Sequence, residues 1–248
     1  PAPAGQDRQT PGFSAAGSIL ATGSTGSLAD YGNEELMSTA SVHDAATGEL
    51  LHRLDHADWA VVVAPSPSGD RLATATCGIG IVAVWDVASE TILWSTEYPG
   101  CSTGIAFSPD GSVIAASSHD DSPAVWDATT GEKRFEIVGH NGGALSIEIS
   151  ADGSTIASAG IDGSVLVVDA GTGEPLAAIQ VADTTVGDVD FSPDGKTLAA
   201  ATLDGFLYVF ALDPGQLVDL VRTRVLRTFT EAECATYDIE PCPALVGS

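Results

Sequence analysis

Ser108-Pro109-Asp110-Gly111 is the most informative stretch of this chain, because the same phrase returns at a constant spacing. Two close copies follow it and two weaker copies precede it: Ser150-Ala151-Asp152-Gly153, Ser192-Pro193-Asp194-Gly195, Ser66-Pro67-Ser68-Gly69 and Ser14-Ala15-Ala16-Gly17. From Gly69 through Gly111 and Gly153 to Gly195, the closing glycines are 42 residues apart. A constant period in this range is typical of a repeat protein.

Each repeat contains four short runs that favour β-strands. The run Ile105-Ala106-Phe107 ends in the turn phrase, and Thr155-Ile156-Ala157-Ser158-Ala159 follows its copy. A third run is β-branched, as in Ser164-Val165-Leu166-Val167-Val168, and a fourth is Lys133-Arg134-Phe135-Glu136-Ile137. Asp-Gly and Thr-Gly-Glu turns separate the runs, and nothing within them has helical spacing. The pattern predicts an all-β fold built from four-stranded antiparallel units.

Two repeats end their third run with a Trp-Asp dipeptide, Trp85-Asp86 and Trp126-Asp127. A Gly-His pair, Gly139-His140, stands before the first run of another repeat. At these positions the chain resembles the WD-repeat β-propellers, over roughly residues 5 to 212. The resemblance implies about five blades, formed by units near 5–54, 55–97, 98–138, 139–181 and 182–212, followed by a tail at 213–248.

The resemblance also implies a buried polar set in each blade: His before the first strand, Ser or Thr in the second, Asp in the next turn and Trp in the third. No unit has the complete set. The fourth unit has Val168 in place of Trp, the second has Gly78 in place of Asp, and the third has Tyr98 and Ala116 in place of His and Ser. The structural residues it predicts are His140, Ser158, Asp162, Trp85 and Trp126, with His56 and Thr74 in the second unit and Asp120 in the third.

The sequence contains five copies of the first three predicted strands of the repeat. It contains only four copies of the fourth strand. Residues 1–7 cannot supply the missing outer strand, since Pro1 and Pro3 lack ladder donors. Since seven blades is the common family count, we expect this chain to be the C-terminal part of a seven-blade ring. The other blades would lie upstream or in a second polypeptide. A closed five-blade ring with one three-stranded blade is the alternative.

The chain is strongly acidic, with 34 Asp and Glu against 9 Lys and Arg and a net charge of −25. Such a field repels nucleic acid and anionic membranes and attracts basic proteins or peptides. No apolar stretch is long enough to insert into a membrane. Four cysteines are too few for a disulfide scaffold, so Cys77 and Cys101 are expected to be small core residues. A cytoplasmic location is the default expectation.

The tail changes periodicity. Leu217, Leu220, Val221 and Val225 recur at helical spacing, which predicts an amphipathic helix over 214–228 packed on the propeller, with a short second helix after Thr230. The stretches 217–228, 230–234 and 240–243 are similar to the C-terminal ending of WD-repeat proteins from large bacterial signalling proteins. That resemblance implies the sensing part of a multidomain switch. Whether Cys234 and Cys242 form a disulfide stays open.

An insertion at 24–36 lengthens the connection between the second and third strands of the first unit. In the family this loop lies on the face that most often binds partners, and insertions in repeat proteins often map to the binding face. The predicted partner-binding residues are Asp30, Tyr31, Asn33, Glu34, Glu35, His56, Asp58, Trp59, Tyr98 and Asp120. A tolerated surface insertion is the alternative, and Trp59 is equally compatible with the core.

Catalytic chemistry has weak support. Gly100-Cys101-Ser102-Thr103-Gly104 matches a hydrolase nucleophile pattern but precedes a β-strand instead of forming a strand–turn–helix elbow. No phosphate loop or calcium loop is present, so no catalytic residue, metal or cofactor is predicted. The sequence favours a non-enzymatic protein-interaction or sensor module of a bacterial signalling protein. The alternative is a structural propeller that regulates an attached protease, kinase or ATPase.

Overall fold

A computed structural model of the protein describes residues 10–23, 38–56 and 59–212, and the side chains of Thr10 and 59–61 are outside that description. Two compact units divide the chain, Pro1–Phe210 and Ala211–Ser248. The described strands lie in the first unit, apart from the last residue of the final strand. The predicted helical tail, the insertion at 24–36 and the pair Cys234 and Cys242 fall outside the described residues.

The described residues form five antiparallel sheets and no helix. Sheet 1 contains β1 (Thr10–Phe13), β2 (Ile19–Gly23), β3 (Ser38–Asp44) and β4 (Leu50–His56). Sheet 2 contains β5 (Trp59–Pro65), β6 (Arg71–Cys77), β7 (Ile81–Asp86) and β8 (Thr91–Glu97). Sheet 3 contains β9 (Ser102–Phe107), β10 (Val113–Ser118), β11 (Ala124–Asp127) and β12 (Lys133–Glu136).

Sheet 4 contains β13 (Ala144–Ile149), β14 (Thr155–Gly160), β15 (Ser164–Asp169) and β16 (Pro175–Gln180). Sheet 5 contains β17 (Val186–Phe191), β18 (Thr197–Thr202) and β19 (Leu207–Ala211). The strands of each sheet are neighbours in chain order, and the first strands of consecutive sheets pack on one another. The predicted all-β fold is confirmed, and four sheets of four strands and one of three are seen in the described chain.

Antiparallel order places the connections at two opposite ends of the sheets. Connections after the second and fourth strands share one end, which we call the loop face. Connections after the first and third strands share the other end, which we call the turn face. The repeated Ser-x-Asp-Gly phrase lies on the turn face, whereas β2 ends and β3 begins at the loop face.

The turn phrase repeats because its side chains complete the turn's hydrogen bonds. Ser108 Oγ accepts a hydrogen bond from the Val113 N–H across 2.9 Å and donates one to Asp110 Oδ1 across 2.6 Å. Gly111 donates its N–H to the Ser108 carbonyl at a φ of 71°, a region that disfavours side chains. The same bonds recur at Ser150 and Ser192, which explains the period of the phrase.

Neighbouring sheets are also joined at their outer strands. Trp94 of β8 lies against Gly131 in the next sheet, where an added Cβ would come within 2.7 Å of the indole ring. Phe135 of β12 contacts Gly173 in the same way, and His52 Nδ1 lies 3.0 Å from Glu90 Oε1. Glu90, Gly131 and Gly173 are equivalent turn residues with positive φ. The outer strands β4, β8 and β12 therefore each contact the turn of the following sheet.

The expectation that Cys77 and Cys101 are small core or near-core residues did not include a bond between them. Cys77 is buried, but it forms a disulfide with Cys101 across a Cα–Cα distance of 4.0 Å. Cys77 ends β6 and Cys101 precedes β9, so the bond joins sheet 2 to sheet 3 on the loop face. The pairing follows from blade contact, which cysteine counting alone does not detect.

Candidate functional site

The loop face is the candidate site. Of the predicted partner-binding residues, Asp30, Tyr31, Asn33, Glu34, Glu35 and Asp58 lie outside the described residues, as does the side chain of Trp59. His56, Tyr98 and Asp120 are described, and the structure places all three at this end of the sheets. Whether any of them binds a partner stays a prediction.

His56 is buried in a directed chain of hydrogen bonds. Trp85 Nε1 donates to Thr74 Oγ1 across 3.0 Å, and the Thr74 hydroxyl lies 3.0 Å from His56 Nε2. His56 Nδ1 lies 3.0 Å from the Leu54 carbonyl oxygen, which can only accept. The partners therefore assign the ring proton to Nδ1, and Thr74 donates to Nε2. The imidazole also packs on Trp85, with the ring centres 5.0 Å apart. The His56 side chain therefore exposes little surface that a binding protein could contact.

Tyr98 occupies the corresponding position in sheet 3 and is buried as well. Its hydroxyl donates to the Ser122 carbonyl across 2.7 Å and lies 3.3 Å from the Ala116 carbonyl. The ring packs edge-on against Trp126 with centres 5.2 Å apart. Burial raises the pKa of the Tyr98 hydroxyl, helped by the charges of Asp121 and Glu136, and keeps it a neutral donor. Tyr98 thus connects strand β10 to the loop at 119–123.

Asp120 is exposed on that loop and positions the segment that enters β9. Its Oδ2 accepts the Cys101 N–H across 3.1 Å, and its Oδ1 lies 3.1 Å from His119 Nδ1. The hydrogen bond from His119, followed by that from Cys101, lowers the pKa of the Asp120 carboxyl. Cys101 also forms the disulfide with Cys77. The loop at 119–123 and the disulfide therefore both hold Cys101 in place at one corner of the loop face.

His140, Ser158 and Asp162 come together in sheet 4 as the sequence predicts. Ser158 Oγ lies 2.9 Å from His140 Nε2, and Ser164 Oγ lies 3.0 Å from His140 Nδ1. Ser164 donates its own proton to Asp162 Oδ1 across 2.6 Å. Ser164 therefore stands in the network between His140 and Asp162, a role that the sequence comparison with the family pattern missed.

His140 and Asp162 have different charge states, because the pKa of each group responds differently to its surroundings. Burial lowers the pKa of His140 and outweighs the neighbouring Asp162 carboxylate, so the imidazole is neutral near pH 7. Burial also acts to raise the pKa of Asp162, but hydrogen bonds from Ser164 and the Asn141 N–H lower it to about 2. The network consequently holds one anionic acceptor beside a neutral ring, and its hydrogen bonds tie the segment at His140 and Asn141 to the turn at Asp162.

The exposed surface of the loop face combines apolar and acidic side chains. Ile79 and Val138 are exposed there, and so are Asp121, Asp183 and Asp204. None of the 9 Lys and Arg residues of the chain occurs in the described loop-face connections. The described loop-face connections therefore carry carboxylates and no Lys or Arg.

A second acidic group lies on the inner strands of sheets 4 and 5. Glu148 of β13 is close to Asp188 and Asp190 of β17, and Ser146 Oγ donates to Asp188 Oδ1 across 2.7 Å. Burial, with the charges of Asp190 and Asp188, raises the pKa of Glu148 to about 7. A nearby cation would relieve this repulsion.

The described residues contain one buried hydroxyl at the place where the sequence matches a nucleophile pattern. Ser102 Oγ is buried and has no hydrogen-bond partner there, and Ser102 begins strand β9 instead of an elbow. No group of three or more His, Cys, Asp or Glu in the described ranges could hold a metal ion. In the described part of the chain, no helix is long and apolar enough to cross a membrane.

Comparisons with known proteins agree with this geometry. The WD40 family model, described as WD domain, G-beta repeat, matches residues 96–127, 131–169 and 173–210. Periodic tryptophan protein 2 homolog of Mus musculus is 32% identical over 92 residues, which are 36% of this chain and 10% of that protein. The chain therefore aligns with a tenth of the mouse protein's length.

A solved structure extends the likeness to the fold. The β-propeller domain of Cps50 (Swd1) from Myceliophteria thermophila superposes with a TM-score of 0.70 and 18% identity, over 85% of this chain and 67% of that one. At this identity the likeness concerns the fold alone. Residues 96–210 contain WD repeats, and the described part of the chain has the fold of a WD-repeat β-propeller.

Proposed function

We propose that this protein is a non-enzymatic interaction module whose loop face binds a basic protein or peptide. WD-repeat propellers generally mediate protein–protein interaction and are typically non-catalytic. The observation that carries the choice of partner is the charge of the loop face. Asp121, Asp183 and Asp204 are exposed there, no Lys or Arg occurs in its described connections, and the whole chain carries −25.

Exposed Ile79 and Val138 add apolar contact area to this acidic face. A partner segment that combines Lys or Arg with apolar side chains fits both properties. Two further features hold the face rigid, namely the Cys77–Cys101 disulfide and the network around His140. Rigid loops lower the entropy cost of binding.

The finer predictions from the sequence remain proposals. The bacterial multidomain context depends on residues 217–243, and a role in regulating an attached protease, kinase or ATPase depends on that context. The cytoplasmic location also stays a prediction. The Cys77–Cys101 disulfide argues for an oxidising compartment, because the cytosol keeps most thiols reduced. Counting free thiols in protein isolated under acid quench distinguishes a cytoplasmic location, in which Cys77 and Cys101 would be reduced, from an oxidising compartment, in which they would be bonded.

Peptide selection tests the proposed function. A random peptide library displayed on phage is selected on the full chain, and the enriched peptides are then measured against two triple variants. One variant neutralises the loop face (Asp121→Asn, Asp183→Asn, Asp204→Asn). The other makes the same charge change on the turn face (Glu49→Gln, Glu132→Gln, Glu174→Gln).

We expect basic peptides whose affinity falls about tenfold in the loop-face variant and changes little in the turn-face variant. Equal losses in both variants would show an effect of bulk charge alone. Enrichment of acidic or purely apolar peptides would contradict the proposal.

A further inference from the structure

Asn141 and Gly142 form an Asn-Gly pair in the loop-face connection between β12 and β13, and both residues are exposed. The Asn141 N–H donates to Asp162 Oδ2 across 2.6 Å. The side-chain amide of Asn141, in contrast, has no hydrogen-bond partner among the described residues. The carboxamide is therefore free to turn toward the backbone of the next residue.

The backbone of Gly142 is equally open. Within the described ranges no group accepts its N–H. Its φ is 120°, and a Cβ added there would have Ile161 Cβ as its nearest described neighbour outside the adjoining residues, at 3.9 Å. Glycine has no side chain that crowds its nitrogen. An N–H without a partner also loses no hydrogen bond when it reacts. The Gly142 nitrogen is thus available as a nucleophile.

The Asp-Gly pairs of the same chain lack this freedom. In all five of them the glycine N–H donates to the carbonyl three residues before it: Asp110-Gly111, Asp152-Gly153, Asp162-Gly163, Asp194-Gly195 and Asp204-Gly205. Their carboxyls also accept hydrogen bonds. The bond from Ser108, followed by those from Ser112, lowers the pKa of Asp110 to about 2. An ionised carboxylate resists a nucleophile, whereas the neutral carboxamide of Asn141 does not.

We propose that Asn141 is a site of spontaneous deamidation, which turns a neutral residue of the loop face into a carboxylate. The Gly142 nitrogen bonds to Cγ of Asn141 while the Cγ–Nδ2 bond breaks. The proton of the Gly142 N–H passes through water to the leaving nitrogen, which departs as ammonia. Water then opens the resulting succinimide at either carbonyl and gives aspartate or isoaspartate. Water is the only other reactant, and no oxidation or reduction occurs.

The product adds a negative charge to the connection 137–143, next to the Asp162 carboxylate that binds the Asn141 N–H. Asp121 and Asp183 are exposed in other connections of the loop face. The consequence for binding rests on the proposed function, which assigns this face to a basic partner. The deamidated chain should attract such a partner more strongly than the original chain.

Peptide mapping by mass spectrometry follows the reaction in the full chain, kept folded at neutral pH and body temperature for several days. Digestion in heavy-oxygen water marks any conversion that occurs during handling. We expect Asn141 to lose its amide steadily, and isoaspartyl methyltransferase to label the peptide that contains it. The five Asp-Gly pairs should stay unlabelled in the folded chain. In urea, which removes the turn hydrogen bonds, they should become labelled too.

An Asn141 amide that persists in the folded chain but is lost in urea would overturn the proposal, since the fold would then protect it. Labelling of the Asp-Gly pairs as fast as Asn141 in the folded chain would also overturn it. Asn141→Gln is the matched variant, because the longer carboxamide closes its ring far more slowly and the backbone N–H to Asp162 is kept. Most of the acidic drift seen by isoelectric focusing should disappear in this variant, and unchanged drift would contradict the site.

A basic peptide selected on the full chain measures the effect on binding. Asn141→Asp should bind it about twofold more tightly than Asn141→Gln, because a charge at the rim of the face adds attraction. Equal affinities would overturn the effect on binding. Failure to select any basic peptide would contradict the proposed function, and the mass measurement, which uses no peptide, still decides the modification.

Discussion

The indole nitrogen of Trp85 and the hydroxyl of Thr74 are 3.0 Å apart, and the same hydroxyl is 3.0 Å from His56 Nε2. One small side chain thus serves two buried aromatic groups. Because Thr74 is fully buried, water cannot take its place without opening the sheet. The second blade depends on this hydroxyl in spite of having Gly78 where the family pattern has Asp.

Thr74→Val should destabilise the protein by about 2 kcal/mol, since the shape is kept while the Trp85 N–H and His56 Nε2 lose the hydroxyl. Chemical denaturation measures the change. The control is a double-mutant cycle with Trp85→Phe, in which the cost of Thr74→Val should shrink. Strict additivity of the two substitutions would show that the bond contributes nothing.

Breaking the Cys77–Cys101 disulfide should lower the free energy of unfolding by about 3 kcal/mol, because the bond closes a segment with a sequence separation of 24 residues. Denaturation with and without a reductant measures this. The double variant Cys77→Ala with Cys101→Ala should behave alike in both conditions. An intact chain that is insensitive to reductant would rule out a stabilising disulfide.

Trp94→Ala should cost about 2 kcal/mol, because the indole covers Gly131 of the next sheet and donates to the Ala128 carbonyl across 3.0 Å. The matched control is Leu93→Ala, the exposed neighbour on the same strand, which should change stability by less than about 0.5 kcal/mol. Thermal unfolding of both variants is the measurement. Similar losses at both positions would mean that the outer strand contributes only by its own propensity.

Glu148→Gln should make stability less dependent on pH. The pKa of Glu148 is about 7 in the folded protein against a usual 4.5, so the folded state binds more protons between these values. Stability therefore falls as pH rises from 4.5 to 7, and the full penalty is present above pH 7. The variant should be more stable than the parent by on the order of 2 kcal/mol at pH 8 and equal to it at pH 4. A benefit at pH 4 that equals the benefit at pH 8 would exclude this cause.

The sequence predicts the strands of this protein well because its turns are local. Ser108, Asp110 and Gly111 bond one another within a few residues, so their spacing alone indicates strand, turn and period. Contacts between blades follow from packing and were missed: Trp94 with Gly131, and Cys77 with Cys101. A usable signal existed, since Cys77 ends a second strand and Cys101 precedes the next first strand, two positions that adjoin in neighbouring blades.

The candidate site was predicted less completely. His56 and Tyr98 lie at the loop face as expected, but their side chains turn inward because each finds buried hydrogen-bond partners. Ser164, four residues before the position where Val168 stands in place of Trp, links His140 to Asp162 through its hydroxyl. The family pattern names no polar residue at the position of Ser164, so a residue-by-residue comparison does not reveal its role.

Hydrogen exchange with and without a selected basic peptide tests the central claim most directly. We predict slower exchange on binding in the loop-face connections 119–123, 181–185 and 203–206. The turn-face connections 108–112, 150–154 and 192–196 should be unchanged, although each of them also contains an aspartate. Protection confined to the turn face or to the outer strands would contradict the account and place the partner elsewhere on the protein.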